Sequence, residues 1–362
     1  MTDTVLARLR VRETHGIRRF MYPLRVRVDL PGRLFVDSIR PAWRLTLDDG
    51  TALPWQIMFS HGRVYLEFAV SLAPFAEQTL TLAARDPASA LDDPLQVTQT
   101  DEGGLRNQQK QFALTVTSEG AIADVVYDDV PHLRGQSGIT RNGEAARAQS
   151  VMASFGQVMP LNASLTAQGY YADRCGARTV VRITAVKSWT TVTHTLETPK
   201  PHDEVVFTLP LALTSAAPTC DFGVGGGIYG KLQQGAADVV VWRTEFAQDA
   251  MQWSVNTNGR TDYAGRVDSA EAYHAQQWFH VIDGGKALAA AIVQVPDACR
   301  TMTVTLNVNG DVQVAFTLGD TVSGPAEFGV CWHFLNDVPA IAAATNPQSI
   351  LLPPFVDVLL LP

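Results

Sequence analysis

The side chains best able to grip and transform a polar substrate gather between Trp242 and His280, in the run WRTEFAQDAMQWSVNTNGRTDYAGRVDSAEAYHAQQWFH. Where such a run is extended, residues two apart share a face. Arg243 and Glu245 then lie together with Trp242 on the other side, and Trp278 shares a face with His280. Arg243, Glu245 and His280 are the catalytic candidates, joined by His333 from FGVCWHFLND. In that segment Phe328, Val330, Trp332 and Phe334 mark a core face, so His333 is expected to point away from it, into a groove or solvent. A neutral imidazole with a pKa of about 6.5 serves as general acid or base near neutrality. Trp278, with Trp253, Arg260 and Tyr263 from an intervening loop, is the expected substrate-binding set.

The mixture suits a saccharide. Flat rings cover the apolar C–H face of a pyranose, while Arg, Glu, His and Asn satisfy its hydroxyls. Two chemistries can be written on these residues. In a lyase, a His or Tyr takes the proton α to a uronate carboxylate while Arg243 or Arg260 neutralises the developing enolate. In an epimerase, His280 and Glu245 exchange protons with the anomeric hydroxyl and the ring oxygen. The plainer alternative makes the tryptophans core residues and Arg243 with Glu245 a surface pair. That leaves a non-catalytic carbohydrate-binding or accessory protein. His194 alternates with Val192 and Leu196, so it is expected to pack on an apolar face with one hydrogen bond; His15 and His61 fall at turns.

The elements that must position these groups are strands. Period-two alternation runs through Val5–Val11, Leu24–Leu30, Trp43–Leu47 and Val64–Val70, then through Phe112–Val116, Val181–Ile183 and Val205–Leu209. Antiparallel sheets with one covered face produce this pattern. TLNVNGDVQVAF reads as a hairpin whose Asn309-Gly310 suits a type I′ turn. Between Asp86 and Gly104 the alternation lapses into DPASALDDPLQVTQTDEGG, expected to be a linker between two domains, 1–98 and 99–362. One short helix is expected at Val338–Thr345, with Pro339 in its first turn. The fold class is all-β with very little helix, a large antiparallel sandwich after the linker.

Composition narrows the partners. A net charge of −8 opposes nucleic-acid binding. No apolar run reaches membrane-spanning length and the opening MTDTVLARLRVRE has no apolar signal core, so a cytoplasmic location is expected. Cys175, Cys220, Cys299 and Cys331 lie far apart, without metal-ligand spacing, and read as reduced thiols; no metal or cofactor is expected. GVGGGIYGKL contains Gly225-x-Gly227-x-x-Gly230, but a turn and strand follow where a nucleotide fingerprint needs a helix. Sandwich edges often pair, so a homodimer is an open expectation.

The segments VRETHGIRRFMYPLRVRVDLP and DDGTALPWQIMFSHGRVYLEFAVSLAPFAEQTLTL resemble the N-terminal RIFT barrel of exo-rhamnogalacturonan-lyase-like (YetA-like) proteins. LRNQQKQFALTVTSEGAIADVVYDD and SLTAQGYYADRCGARTVVRITA are similar to the β-supersandwich that follows it there, itself galactose-mutarotase-like. The resemblance implies a small β-barrel followed by a supersandwich, and a carbohydrate-active protein related to polysaccharide lyases. Large relatives continue into an (α/α) toroid, which this chain is expected to lack, so lyase activity is not expected to follow from fold likeness.

Overall fold

Alternating apolar residues commit each strand to burying one face, and the chain solves this by stacking sheets. A computed structural model describes residues 4–28, 43–60, 63–84, 97–109, 111–155, 161–215, 218–224, 228–233, 239–246, 251–257, 260–267, 278–307, 309–339 and 352–360. Among them there is no helix, and the pairings are antiparallel.

Near the N-terminus a three-stranded sheet, in the order β2 (Arg19–Arg27), β5 (Arg63–Leu72), β4 (Trp55–Ser60), accompanies a four-stranded one. The latter runs β28 (Phe355–Leu360), β1 (Thr4–Arg12), β6 (Glu77–Ala84), β3 (Trp43–Leu47), so the last strand returns to pair with the first. Leu9, Leu45, Leu66, Phe68 and Leu80 form a core here, fully buried.

The larger body contains a nine-stranded sheet. Its order is β13 (Arg147–Phe155), β14 (Asn162–Tyr170), β15 (Gly176–Thr184), β16 (Trp189–Leu196), β27 (Ala326–Pro339), β24 (Lys286–Gln294), β23 (Trp278–Asp283), β18 (Thr219–Val224), β19 (Ile228–Gln233). A seven-stranded sheet runs β12 (Gly138–Arg141), β17 (Glu204–Pro210), β26 (Asp311–Leu318), β25 (Cys299–Leu306), β20 (Val239–Phe246), β21 (Met251–Thr257), β22 (Arg260–Val267). Phe316 of β26 meets Phe328 of β27 with ring centres 5.4 Å apart, joining the two sheets through one core. β16 and β26 alternate strictly between buried and half-buried residues, so one face fills that core and the other is only partly covered. A small five-stranded sheet, β7 (Val97–Gln99) to β11 (Val130–Pro131) through β8 (Leu105–Gln108), β9 (Phe112–Val116) and β10 (Ile122–Tyr127), adds to the same core.

Three local expectations need correcting. Val338 and Pro339 close β27 instead of opening a helix, because β24 pairs with them through Ala287 and Lys286; residues 340–345 lie outside the described ones. The linker segment ends earlier, since Val97–Gln99 is a strand bonded to β8. The 306–312 hairpin forms, but not with a two-residue turn. Asn307 donates to the Asp311 carbonyl at 2.8 Å and Gly310 to the Asn307 carbonyl at 2.9 Å, leaving a three-residue loop in which Gly310 has a positive φ and Asn309 does not. Two-residue turns with both φ positive are at Asp128-Asp129, Asn142-Gly143 and Gly284-Gly285. The Gly225 run connects β18 to β19, a strand pair.

Candidate functional site

Strand register carries one row of residues across the nine-stranded sheet. His280 of β23 lies opposite Ala290 of β24, Ala290 opposite His333 of β27, and His333 opposite Trp189 of β16. Directly opposed residues share a face. This face is the one turned away from the main core, which takes Phe279, Trp332 and Phe334 instead. The Trp278 and His280 rings are 5.0 Å apart, and Trp189 meets His333 edge-on at 5.7 Å. The sequence thus identifies the right face for His333, but the expectation of a groove or solvent position is wrong. His333 is 9 % exposed and His280 fully buried, with Trp278 at 7 %. Tyr22 of β2 packs edge-on against Trp189 at 5.5 Å, so the first core reaches over this face. Burial, with the neighbouring Lys187 and His280, pushes the His333 pKa down to about 3. That imidazole stays neutral near pH 7 and is a weak base there.

The other candidates sit elsewhere. Arg243 and Glu245 are on β20, opposite Thr303 and Thr301 of β25 in the seven-stranded sheet. Their strand neighbours pair with Met302 and Val304, which enter the core. Trp253 lies on β21, and Arg260 and Tyr263 on β22, where a loop was expected; Trp253 opposes Gly265 and Tyr263 opposes Val255. The four catalytic candidates therefore divide between two sheets. Among the candidates whose side chains are described, His280, His333 and Trp278 come together.

Where the three-stranded sheet meets β14–β16, a groove of about 530 Å³ opens. Arg25, Glu67, Asn162, Arg182, Trp189 and Thr191 line it. Glu67 is the anchor. Its side chain is 7 % exposed, accepts from Asn162 Nδ2 at 2.8 Å and from Gln56 Nε2, and faces Arg25 Nε at 3.6 Å. Gln56 Oε1 in turn accepts the Asn162 backbone N–H at 2.9 Å, so a buried polar network ties β4 and β5 to the start of β14. Arg25 lies over the Tyr65 ring at 4.1 Å. The groove was missed from sequence, though Glu67 offered a signal. It interrupts the apolar run LEFAV, and a buried carboxylate must have partners.

Period two gives the same strands a second cavity. Val192 and His194 of β16 point inward, with Ala167 of β14, Thr179 of β15 and Trp332, lining about 460 Å³ at the edge of the sandwich. His194 exchanges hydrogen bonds with the Tyr171 hydroxyl at 3.0 Å and Thr179 Oγ1 at 2.9 Å, one partner more than expected, and burial pushes its pKa down to about 4. Among the described residues no three His, Cys, Asp or Glu side chains group as a metal ion would require. Among them, too, no helix is long and apolar enough to cross a membrane.

No family model and no curated protein matches the sequence. Solved structures do match the fold. A protein in the glycosyl hydrolase family 38 from Enterococcus faecalis superposes with a TM-score of 0.55 at 10 % identity, over 98 % of this chain and 47 % of that one. An α-mannosidase from Enterococcus faecalis V583 superposes equally well, with 46 % of its chain covered. This chain thus spans about half the length of those proteins, and the likeness is one of fold.

Proposed function

We propose that the chain recognises a saccharide, and that the sugar lies in the groove between β2, β4, β5 and β14–β16. One observation carries this reading. A half-buried Trp189 stands beside Arg25, Arg182, Glu67 and Asn162 in a concavity of about 530 Å³, large enough for a mono- or disaccharide. The ring supplies an apolar platform, and the charged and amide groups supply donors and acceptors in fixed positions. The likeness to half of a glycosidase chain supports a carbohydrate-active protein without assigning it a reaction.

Binding is preferred to catalysis because the proton-transfer candidates do not converge. A lyase or epimerase using His280 with Arg243 or Glu245 needs them around one substrate, and they belong to different sheets. A lyase related to the YetA-like proteins, or a mutarotase, would have to draw on other groups. The division into modules 1–98 and 99–362 is part of the same proposal, amended by β28, which joins the first module. The groove lies where the two meet.

Calorimetric titration against a panel of neutral and acidic mono- and disaccharides tests the reading. Saturable binding is expected, weakened about tenfold by Trp189→Ala, in line with the loss of one stacking platform. Wild-type protein that binds no member of the panel, or a variant that binds as well as wild type, contradicts it.

A further inference from the structure

Around Trp189 the outer face of the nine-stranded sheet holds polar groups whose needs the described residues do not meet. The Lys187 ammonium lies 5.6 Å from the Phe20 ring centre and 6.0 Å from that of Trp189. Among the described residues no carboxylate pairs with it. Burial pushes its pKa down to about 8, as for an ammonium that has lost water without gaining a counter-charge. Arg182 of β15, exposed and opposite Thr191 of β16, also lacks an acidic partner among the described residues. Trp189 Nε1 and His333 Nδ1 are buried with no hydrogen-bond partner among those residues. Orphaned buried polar atoms are rare in native proteins and point to a missing water, ion or ligand. His333 is nine-tenths buried and meets Trp189, which lines the groove, edge-on.

Lys187 flanks Trp189, Arg182 lines the groove with it, and the two charges have one sign. Glu67, the carboxylate of the groove, is already engaged by Arg25, Gln56 and Asn162, so it does not offset Lys187 and Arg182. The corner is locally cationic in a chain of net charge −8. Such an inversion inside a low-dielectric cleft concentrates anions.

We propose that the saccharide bound in this groove carries an anionic substituent, a carboxylate, sulfate or phosphate, seated between Lys187 and Arg182 and accepting the Trp189 indole N–H. The inference rests on the saccharide reading of the groove and adds the charge class of the ligand. Hydrogen bonds to an ionised acceptor are about twice as strong as neutral ones, so the substituent dominates selectivity.

The test follows the Trp189 indole N–H resonance, assigned by its loss in Trp189→Phe, during titration with glucose, glucuronate, glucose 6-phosphate and inorganic sulfate. The acidic sugars should move it saturably and bind at least about tenfold more tightly than glucose, the margin of one charge-assisted contact. Lys187→Met and Arg182→Gln should each remove that margin, so that the acidic sugars bind either variant no more tightly than glucose binds the same variant. Arg182 is exposed, so its variant reads out even where Lys187→Met disturbs folding. Equal affinity for glucose and the acidic sugars overturns this inference alone. A response to inorganic sulfate and to no sugar, or to nothing, overturns both it and the saccharide reading.

Discussion

His333 and His194 sit on opposite faces of one sheet, and burial holds both neutral, with pKa values pushed down to about 3 and about 4. An unfolded histidine titrates near 6.5, so between those limits the unfolded chain binds more protons than the folded one. Their contribution to stability is complete above about pH 6.5 and is lost as the pH falls toward the folded values. Urea unfolding free energies should be level above about pH 7 and decline below 6.5, and His333→Leu should flatten the decline. An unchanged slope in the variant contradicts the assignment. Glu13 acts at lower pH. Burial pushes its pKa up, but the Arg19 guanidinium and the backbone N–H groups of His15, Phe75 and Ile17 outweigh that and hold it at about 2. At this scale the sequence reveals which way a side chain faces, as alternation does for His333. What covers that face was hidden, because Tyr22, which packs against the neighbouring Trp189, comes from the far end of the chain.

Strands and turns were the most legible elements, since burying one face forces the alternation. The failures came where non-local pairing overrode a local preference. Val338 and Pro339 carry a helix-start signal, yet β24 claims them as strand. Among the described residues Asn-Gly occurs at 142–143 and 309–310, and only the first makes the two-residue turn. The dipeptide permits positive φ; the register of the paired strands decides the loop length. A Cβ on Gly310 would come within 2.9 Å of the Leu211 carbonyl oxygen, at φ +87°, whereas one on Gly143 meets nothing within 4 Å, at φ +81°. Gly143→Ala should therefore cost about 1 kcal/mol, the strain of the left-handed backbone alone. Gly310→Ala should cost about 2–3 kcal/mol, because the clash adds to that strain. Chemical denaturation of both variants ranks them, and the reverse order would refute the account of the turn.

For the whole molecule, closure of the chain ends is the least legible feature and among the most consequential. β28 pairs with β1, Asp357 accepts from Arg10 at 2.9 Å and Arg12 at 3.3 Å, and Arg19 donates to the Leu352 carbonyl at 2.5 Å. Val356 and Val358 pack against the first core. Removing residues 352–362 should lower stability by on the order of 2 kcal/mol or more, the share of two partly buried valines. Fluorescence of Trp43 and Trp55, stacked at 6.3 Å by that core, should report it as an earlier unfolding midpoint; an unmoved midpoint rejects the closure as a stabilising contact. Sheet membership was equally hidden. Alternation marks β20 and β23 as strands but does not reveal that they join different sheets, which is why the expected catalytic set came apart. The groove arises from the same large-scale arrangement, bringing Arg25 and Glu67 from one end of the sequence to Arg182 and Trp189. A crystal structure of the protein with a sugar selected by titration tests this most directly. Density against Trp189, between Arg182 and Glu67, is the predicted result; density on the seven-stranded sheet near Arg243 would contradict it.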